Sequence, residues 1–180
     1  MSTISESLSV EFTFPASPTL AETDTIPMGA SGITIHGVLL FNNEANAPDI
    51  LVDEIPTMDQ LNLGHTQSTG YYHHHTEPPR ISDNDSVLIG VALDGFPIFG
   101  RQEEDGSIPF TGESVGNNYH SHAVDTANTY GFDGAVTYHY HVVDSDYETT
   151  SDGVSTEVPW MLGPTSQTFA GGAGTVAGGP

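Results

Sequence analysis

Residues 70–79 read GYYHHHTEPP, three consecutive histidines behind two tyrosines in a chain with nine histidines in all. The run is internal, flanked by tyrosines and closed by Pro78-Pro79, so it is not a purification tag. A second cluster, YHYH at 138–141, repeats the alternation. Neutral imidazole is the commonest side-chain ligand for zinc, copper, nickel and iron, and His-x-His on a strand projects two rings to one face, close enough to share an ion. The chemistry expected of such residues is transition-metal ligation, with His73 and His75 as one pair and His139 and His141 as the other.

The two pairs sit in matching contexts. HGVLLFNN (36–43) leads through Gly64-His65 to YHHH (72–75), and DGFPIFGR (94–101) leads through HSH (120–122) to YHYH (138–141). Each half runs from a Gly-containing hydrophobic strand, across a loop with a histidine, to a strand carrying His-x-His, which suggests two supersecondary units in a pseudo-twofold arrangement. Period-two alternation puts Tyr71, His73 and His75 on one face, matching Thr137, His139 and His141; Tyr72 and His74 share the other face and match Tyr138 and Tyr140. His74 stands where the second repeat has a tyrosine and is expected to be dispensable. If the twofold pairs the strands, His73, His75, His139 and His141 converge, with His65 and His122 arriving from the preceding loops and a carboxylate as a further ligand. The spacing does not choose between His120 and His122 as the counterpart of His65. Zinc, copper and iron stay open as the ion. The competing reading is a hydrogen-bonded network of histidines and tyrosines packed as amphipathic core residues.

The elements that must position these residues read as strands. SVEFTF (9–14), ITIHGVLLF (33–41), VLIGVALDGFPIF (87–99) and AVTYHYHVV (135–143) are short, rich in β-branched and aromatic residues and bounded by Gly, Pro, Asn or Asp. The modest helix candidate, around 49–63, is interrupted by Pro56. Polar loops are expected at 101–118 and 144–158, and the closing FAGGAGTVAGGP reads as a tail that is flexible in a free monomer unless a neighbour holds it. The fold expected is mainly β: a single β-sandwich-like domain with long loops and two pseudo-symmetric repeat halves. Its parts are an N-terminal strand or arm (1–30), a β domain (31–160) with repeats at 31–80 and 87–143, and a Gly-rich tail (161–180).

Composition bounds the partners. One hundred and eighty residues suit one domain with its own core. Lys+Arg total 2 against 24 Asp+Glu, a formal charge of −22, which repels nucleic acid and anionic membranes, attracts cations and suits a saline or marine setting. The chain has no cysteine, which excludes disulfides and thiolate metal sites. The first residues, MSTISESLSVEFTF, have neither a basic nor an apolar signal region, and no segment approaches a membrane span. Work outside a cell would need another route: within a virion, by a leaderless path, or from a longer precursor.

YHYH at 138–141, GVALDGFPIFG at 90–100 and GH…GYYHHH at 64–75 together resemble the YHYH-domain family, over roughly residues 31–143. In that family a Gly-His segment precedes each Tyr-His-Tyr-His strand and a hydrophobic Asp-Gly strand lies between. The resemblance maps these onto Gly64 and His65, then Tyr72, His73 and His75, Ala92 to Gly100, and Tyr138 to His141. His74 replaces the second tyrosine of the first motif, Ser121 stands where a glycine would precede His122, and the cysteines common near these motifs are missing. The resemblance implies a metal site and no established activity.

Other motifs are weaker. GESVG (112–116) fits a nucleophile pattern around Ser114, but Asn117-Asn118-Tyr119-His120 follows where a helix should begin. GAGTVA (172–177) imitates a dinucleotide fingerprint without its strand–helix unit. SDNDS (82–86) and DSD (144–146) offer oxygen ligands that could hold calcium, without EF-hand spacing; solvated turns are the simpler account. Asp94-Gly95 and Asp133-Gly134 read as turn dipeptides.

The leading expectation is a non-enzymatic structural or binding subunit of a virion or another extracellular assembly, with a histidine metal site and other protein subunits as partners. A second class is a metal-dependent enzyme in which three histidines hold the ion and Tyr138 or Tyr72 assists proton or electron transfer. A third is a fibre or spike protein whose His-x-His strands share an ion between chains.

Overall fold

A computed structural model of the chain describes residues 9–19, 28–41, 54–59, 61–75, 87–100, 119–123, 136–143, 149–151, 154–156, 160–161 and 172–178. The strands are β1 (Glu11–Thr13), β2 (Ala30–Thr34), β3 (Leu39–Phe41), β4 (Gly64–Thr66), β5 (Tyr72–His74), β6 (Leu88–Ala92), β7 (Pro97–Phe99), β8 (Tyr119–Ala123), β9 (Val136–Val143), β10 (Thr149–Ser151), β11 (Val154–Thr156), β12 (Trp160–Met161) and β13 (Thr175–Ala177). Nine of them form one mixed sheet in the order β12-β9-β7-β6-β2-β3-β5-β4, with β8 also paired to β9. The fold is mainly β, as the strand-rich patterning requires. Among the described residues of the helix candidate at 49–63 the structure has a 3-10 turn, Ile55–Thr57, containing Pro56, and residues 49–53 and 60 lie outside the described segments.

Two of the long hydrophobic runs fold back on themselves. The run at 33–41 turns at Ile35-His36-Gly37, with Gly37 N–H bonding the Thr34 carbonyl at 2.9 Å and Thr34 N–H bonding the Val38 carbonyl at 2.8 Å. The run at 87–99 turns in the same way at Leu93-Asp94-Gly95, with matching bonds of 2.9 Å from Gly95 N–H to the Ala92 carbonyl and from Ala92 N–H to the Phe96 carbonyl. Both turns need a third residue in the left-handed region, and Gly37 (φ 80°) and Gly95 (φ 88°) supply it without a Cβ penalty.

The hairpins meet in the middle of the sheet, where β2 runs antiparallel to β6 with Ile33 opposite Val91. Strands buried on both faces read as continuous apolar runs, which is why Leu40, Ile89, Ile98 and Phe99 are fully enclosed. Each such side chain contributes about 1.5–3 kcal/mol of burial free energy. The outer partners of the hairpins are parallel: β3 pairs with β5 and β7 with β9. Parallel neighbours need a crossover, and the first one carries the 3-10 turn and β4.

The two chain-terminal segments form a second layer. β1 pairs antiparallel with β13, Phe12 facing Val176, and Phe12, Ala173 and Val176 pack on the core cluster that contains Leu40, Ile98 and Tyr140. Residues 172–178 are therefore held by their own chain, through β1, through a 2.8 Å bond from Gly174 N–H to the Leu93 carbonyl, and through a 2.5 Å bond from the Tyr71 hydroxyl to the Gly178 carbonyl. Within the expected flexible tail, Thr175–Ala177 is a strand, because Val176 has an apolar surface to cover. The same pairing places Thr175–Ala177, the end of GAGTVA, in a strand and not at the opening of a nucleotide-binding helix. Part of the loop expected at 144–158 is a β10–β11 ribbon.

The twin turns generate a test, because their surroundings differ. A Cβ at Gly37 meets nothing within 4 Å, whereas one at Gly95 comes 3.1 Å from the Pro15 carbonyl oxygen. Gly37→Ala is expected to cost about 1 kcal/mol of backbone strain, and Gly95→Ala more than that, in urea unfolding of the two variants. Equal losses would show that Pro15 yields freely.

Candidate metal centre

Alternation and register assemble the cluster. β4 runs antiparallel to β5 with His65 opposite His73, and directly opposed residues share a face with Cβ atoms about 5 Å apart. His75, two residues beyond His73, joins the same face. On the other edge of β5, β3 brings up Phe41, whose ring stacks on His73 with centroids 3.9 Å apart and meets His75 edge-on at 5.7 Å. His65, His73 and His75 each bring one ligand nitrogen within 4.8 Å of the other two. His73 and His75 are buried and His65 half-buried.

The 3-10 turn adds a carboxylate. Glu54, immediately before the turn, sets Oε2 3.6 Å from His65 Nε2 and 3.4 Å from His75 Nε2. Thr57, at the end of the turn, donates its hydroxyl proton to the Glu54 carbonyl at 2.6 Å and lies 2.8 Å from His65 Nδ1. A hydroxyl has one proton to give, so His65 Nδ1–H donates to Thr57 and the lone pair falls on Nε2. That Nε2 is buried and makes no hydrogen bond. His73 Nδ1 lies 3.2 Å from the Tyr71 carbonyl, an acceptor only, so the His73 lone pair is also on Nε2, 2.9 Å from His75 Nε2. This is how metal-bound imidazoles are held from behind.

Electrostatics agree with that assignment. Burial pushes His73 down to about 3, with His75 and His65 adding repulsion against a charged ring and the Tyr71 carbonyl opposing. Burial also lowers His65. The His65 and His73 rings are therefore neutral, each with its lone pair on Nε2. Zinc–nitrogen bonds of about 2.0–2.1 Å place tetrahedral ligand atoms about 3.3 Å apart, so the 2.9 Å His73–His75 separation would open by a few tenths of an ångström around an ion.

The reverse face of β5 is a support. Tyr72 donates its hydroxyl proton to Asp59 Oδ2, and Asp59 Oδ1 accepts from the Leu61 and Asn62 N–H groups at 3.0 and 2.7 Å. Leu63 takes a left-handed conformation (φ 50°) to complete the turn that delivers Gly64-His65. Position 64 must lack a side chain, because a Cβ there would overlap the Tyr72 ring. Burial and Asp59 raise the Tyr72 phenol well above its usual range. Burial alone would raise Asp59, but the bonds from Tyr72, Asn62 and Leu61 and the nearby His74 hold it below its ordinary 3.8. His74 is buried on this face, its ring edge-on to Tyr72, and lies outside the three-histidine group, as its mismatch with Tyr140 implied.

The remaining expected ligands lie elsewhere. β7, β6, β2 and β3 separate β9 from β5, a width on the order of 20 Å, so His139 and His141 do not converge with His73 and His75 on one ion. The physical reason is that the hairpins meet through β2 and β6, which sends the two histidine strands outward. In β8, His120 is opposite His139, whereas His122 is opposite Thr137. His139 is fully buried with its ring 5.3 Å from that of Phe99. Ser114, the two acidic loops at 82–86 and 144–146, and Asp133-Gly134 lie outside the described residues. Glu54 and Thr57 were not singled out in the sequence. Their signal was faint, an acidic residue and a hydroxyl flanking Ile55-Pro56 shortly before Gly64-His65.

A mixed β-sheet with a buried three-histidine cluster and an adjoining carboxylate defines a protein equipped for imidazole ligation of a cation. The chain belongs to the YHYH protein family, whose model matches residues 11–121. That span takes in β1 and the whole histidine cluster and ends within β8, before the tetrapeptide at 138–141. No curated protein and no solved structure matches the chain. Among the described residues, no helix is long and apolar enough to cross a membrane.

Asp59 provides a pH test of the support. Its folded pKa lies below 3.8, so the stability it adds is present above that value and disappears as the pH falls through the folded pKa. Asp59→Asn is expected to lower the melting temperature at pH 7 and to converge with the unaltered protein as the pH falls from 3.8 through the lowered folded pKa. A deficit that stays constant with pH would mean that the carboxylate charge contributes nothing.

Proposed function

We propose that the protein is a non-enzymatic metal-binding subunit in which Glu54, His65, His73 and His75 hold one divalent transition ion that fastens the β4–β5 edge to the 3-10 turn. The observation that carries this is the convergence of the three histidine ligand atoms within 4.8 Å of one another, with Glu54 Oε2 beside two of them. Three imidazoles and one carboxylate fill a tetrahedral shell, and a filled shell is the mark of structural rather than catalytic sites. Zinc suits this set best, since its closed d shell imposes no geometry of its own, while imidazole also accepts copper and iron.

Two observations favour this reading over the alternatives. Tyr72, the tyrosine nearest the cluster along the chain, lies on the other face of β5 and is tied to Asp59, so it does not serve an ion at His73 as a proton or electron donor. The described ligands come from one chain, which supports ions held within chains over ions shared on a symmetry axis. A setting in a virion or other extracellular assembly, with further subunits as partners, is the part of the proposal that rests on composition, a net charge of −22 with no lysine.

The test is metal content by plasma mass spectrometry together with thermal unfolding. Changing His73 and His75 together to alanine is expected to remove one ion per chain. In the unaltered protein, free zinc a thousandfold above its dissociation constant should add about 4 kcal/mol of stability. Glu54→Gln keeps the shape but removes the charge, and should weaken zinc binding. Metal content untouched by the double change would sink the assignment.

A further inference from the structure

The strand pairing that builds the cluster recurs around β9, and we propose that it builds a second, separate metal centre from His120, His139 and His141. The inference rests on reading the first cluster as a metal site. It starts from register. In the first half β3 lies parallel to β5 with Leu40 opposite His74, and in the second β7 lies parallel to β9 with Ile98 opposite Tyr140. β4 runs antiparallel to β5 with His65 opposite His73 and Thr66 opposite Tyr72; β8 runs antiparallel to β9 with His120 opposite His139 and Ser121 opposite Tyr138. The superposition makes His139 the counterpart of His73, His141 that of His75, and His120 that of His65.

The scaffolding corresponds too. β2 and β6 each carry a register shift one residue before a glycine, between Ala30 and Gly32 and between Leu88 and Gly90. Two bonds cross the junction in mirrored fashion, Leu93 N–H to the Ser31 carbonyl at 2.8 Å and Ile35 N–H to the Ile89 carbonyl at 2.9 Å. An aromatic neighbour recurs in a different geometry: Phe99 occupies the place of Phe41 and meets the His139 ring edge-on at 5.3 Å, where Phe41 stacks on His73 at 3.9 Å. His139 is as enclosed as His73, at 0% and 2% exposure. Register also separates the neighbouring histidines of β8. His122 faces Thr137, the position held in the first half by Gln67 beside Tyr71, so His120 is the ligand and His122 is not. The ligand chemistry is again imidazole, for zinc, copper or iron.

Ions per chain are counted on the unaltered protein, and after stripping and reloading with zinc, copper(II) and iron(II) in turn. Two ions are expected, with one lost in the His139→Ala, His141→Ala double variant and the other lost when His73 and His75 are changed. His120→Ala should reduce the second ion's occupancy and His122→Ala should not. Anomalous diffraction from crystals of the unaltered chain provides a count that needs no variant, with two peaks on the order of 20 Å apart expected. A single ion that depends on His73 and His75 and ignores His139 and His141 overturns the second centre and leaves the first standing. A single ion with the reverse dependence upholds the second centre and removes the first. No ion under any loading overturns both.

Discussion

The pairing of His65 against His73 across β4 and β5 is the contact on which the site depends. It places two rings on one face, and a third follows from the two-residue period of the strand. Burying imidazole is expensive unless each nitrogen finds a partner, because an orphaned buried polar atom costs about 1–3 kcal/mol. Here the outward nitrogens are served by Thr57 and by the Tyr71 carbonyl. The inward nitrogens of His73 and His75 face each other at 2.9 Å, and Glu54 Oε2 lies beside those of His65 and His75. With the Phe41 ring against His73 and His75 on one side, the set is arranged so that a shared cation would satisfy it more completely than a single shared proton.

The rest of the fold can be seen as holding this geometry still. The turn from Asp59 to Gly64 is locked by Asp59, and Asp59 is locked by Tyr72, which sits back-to-back with the cluster on the same strand. The alternation of tyrosine and histidine thus has a division of labour: one face positions the strand, the other presents ligands. Two hairpins of identical design supply the central strands, and their apolar burial fixes the register to which β5 must conform.

Much of the ligand set was legible because it lies in local patterns. His-x-His is visible as a period of two, Gly64 and His65 as a conspicuous pair before it, and the Leu93-Asp94-Gly95 turn as a turn dipeptide. What was not legible depends on distant pairing. Nothing in the residues of β3 and β5 announces that they run parallel, since buried strands of either kind are uniformly apolar or aromatic. The repeat matched His73 with His139 by sequence context, yet similarity between two stretches of sequence says nothing of whether the strands that carry them lie side by side or at opposite ends of a sheet. Glu54 was hidden for a related reason: in a chain with 24 acidic residues, the carboxylate that lies beside the histidines has no distinguishing mark. The closing strand was missed because glycine and alanine dominate its composition, and one valine, Val176, decides its fate.

The distribution of these contacts along the chain sets an order of assembly. All four groups of the first cluster fall between residues 54 and 75, so closing that loop costs little entropy, whereas Phe12 must wait for Val176. On a growing polypeptide the histidine pocket can close long before Val176 leaves the ribosome. The β1–β13 ribbon then acts as a late clasp, and its long sequence separation raises the contact order that slows the final folding step.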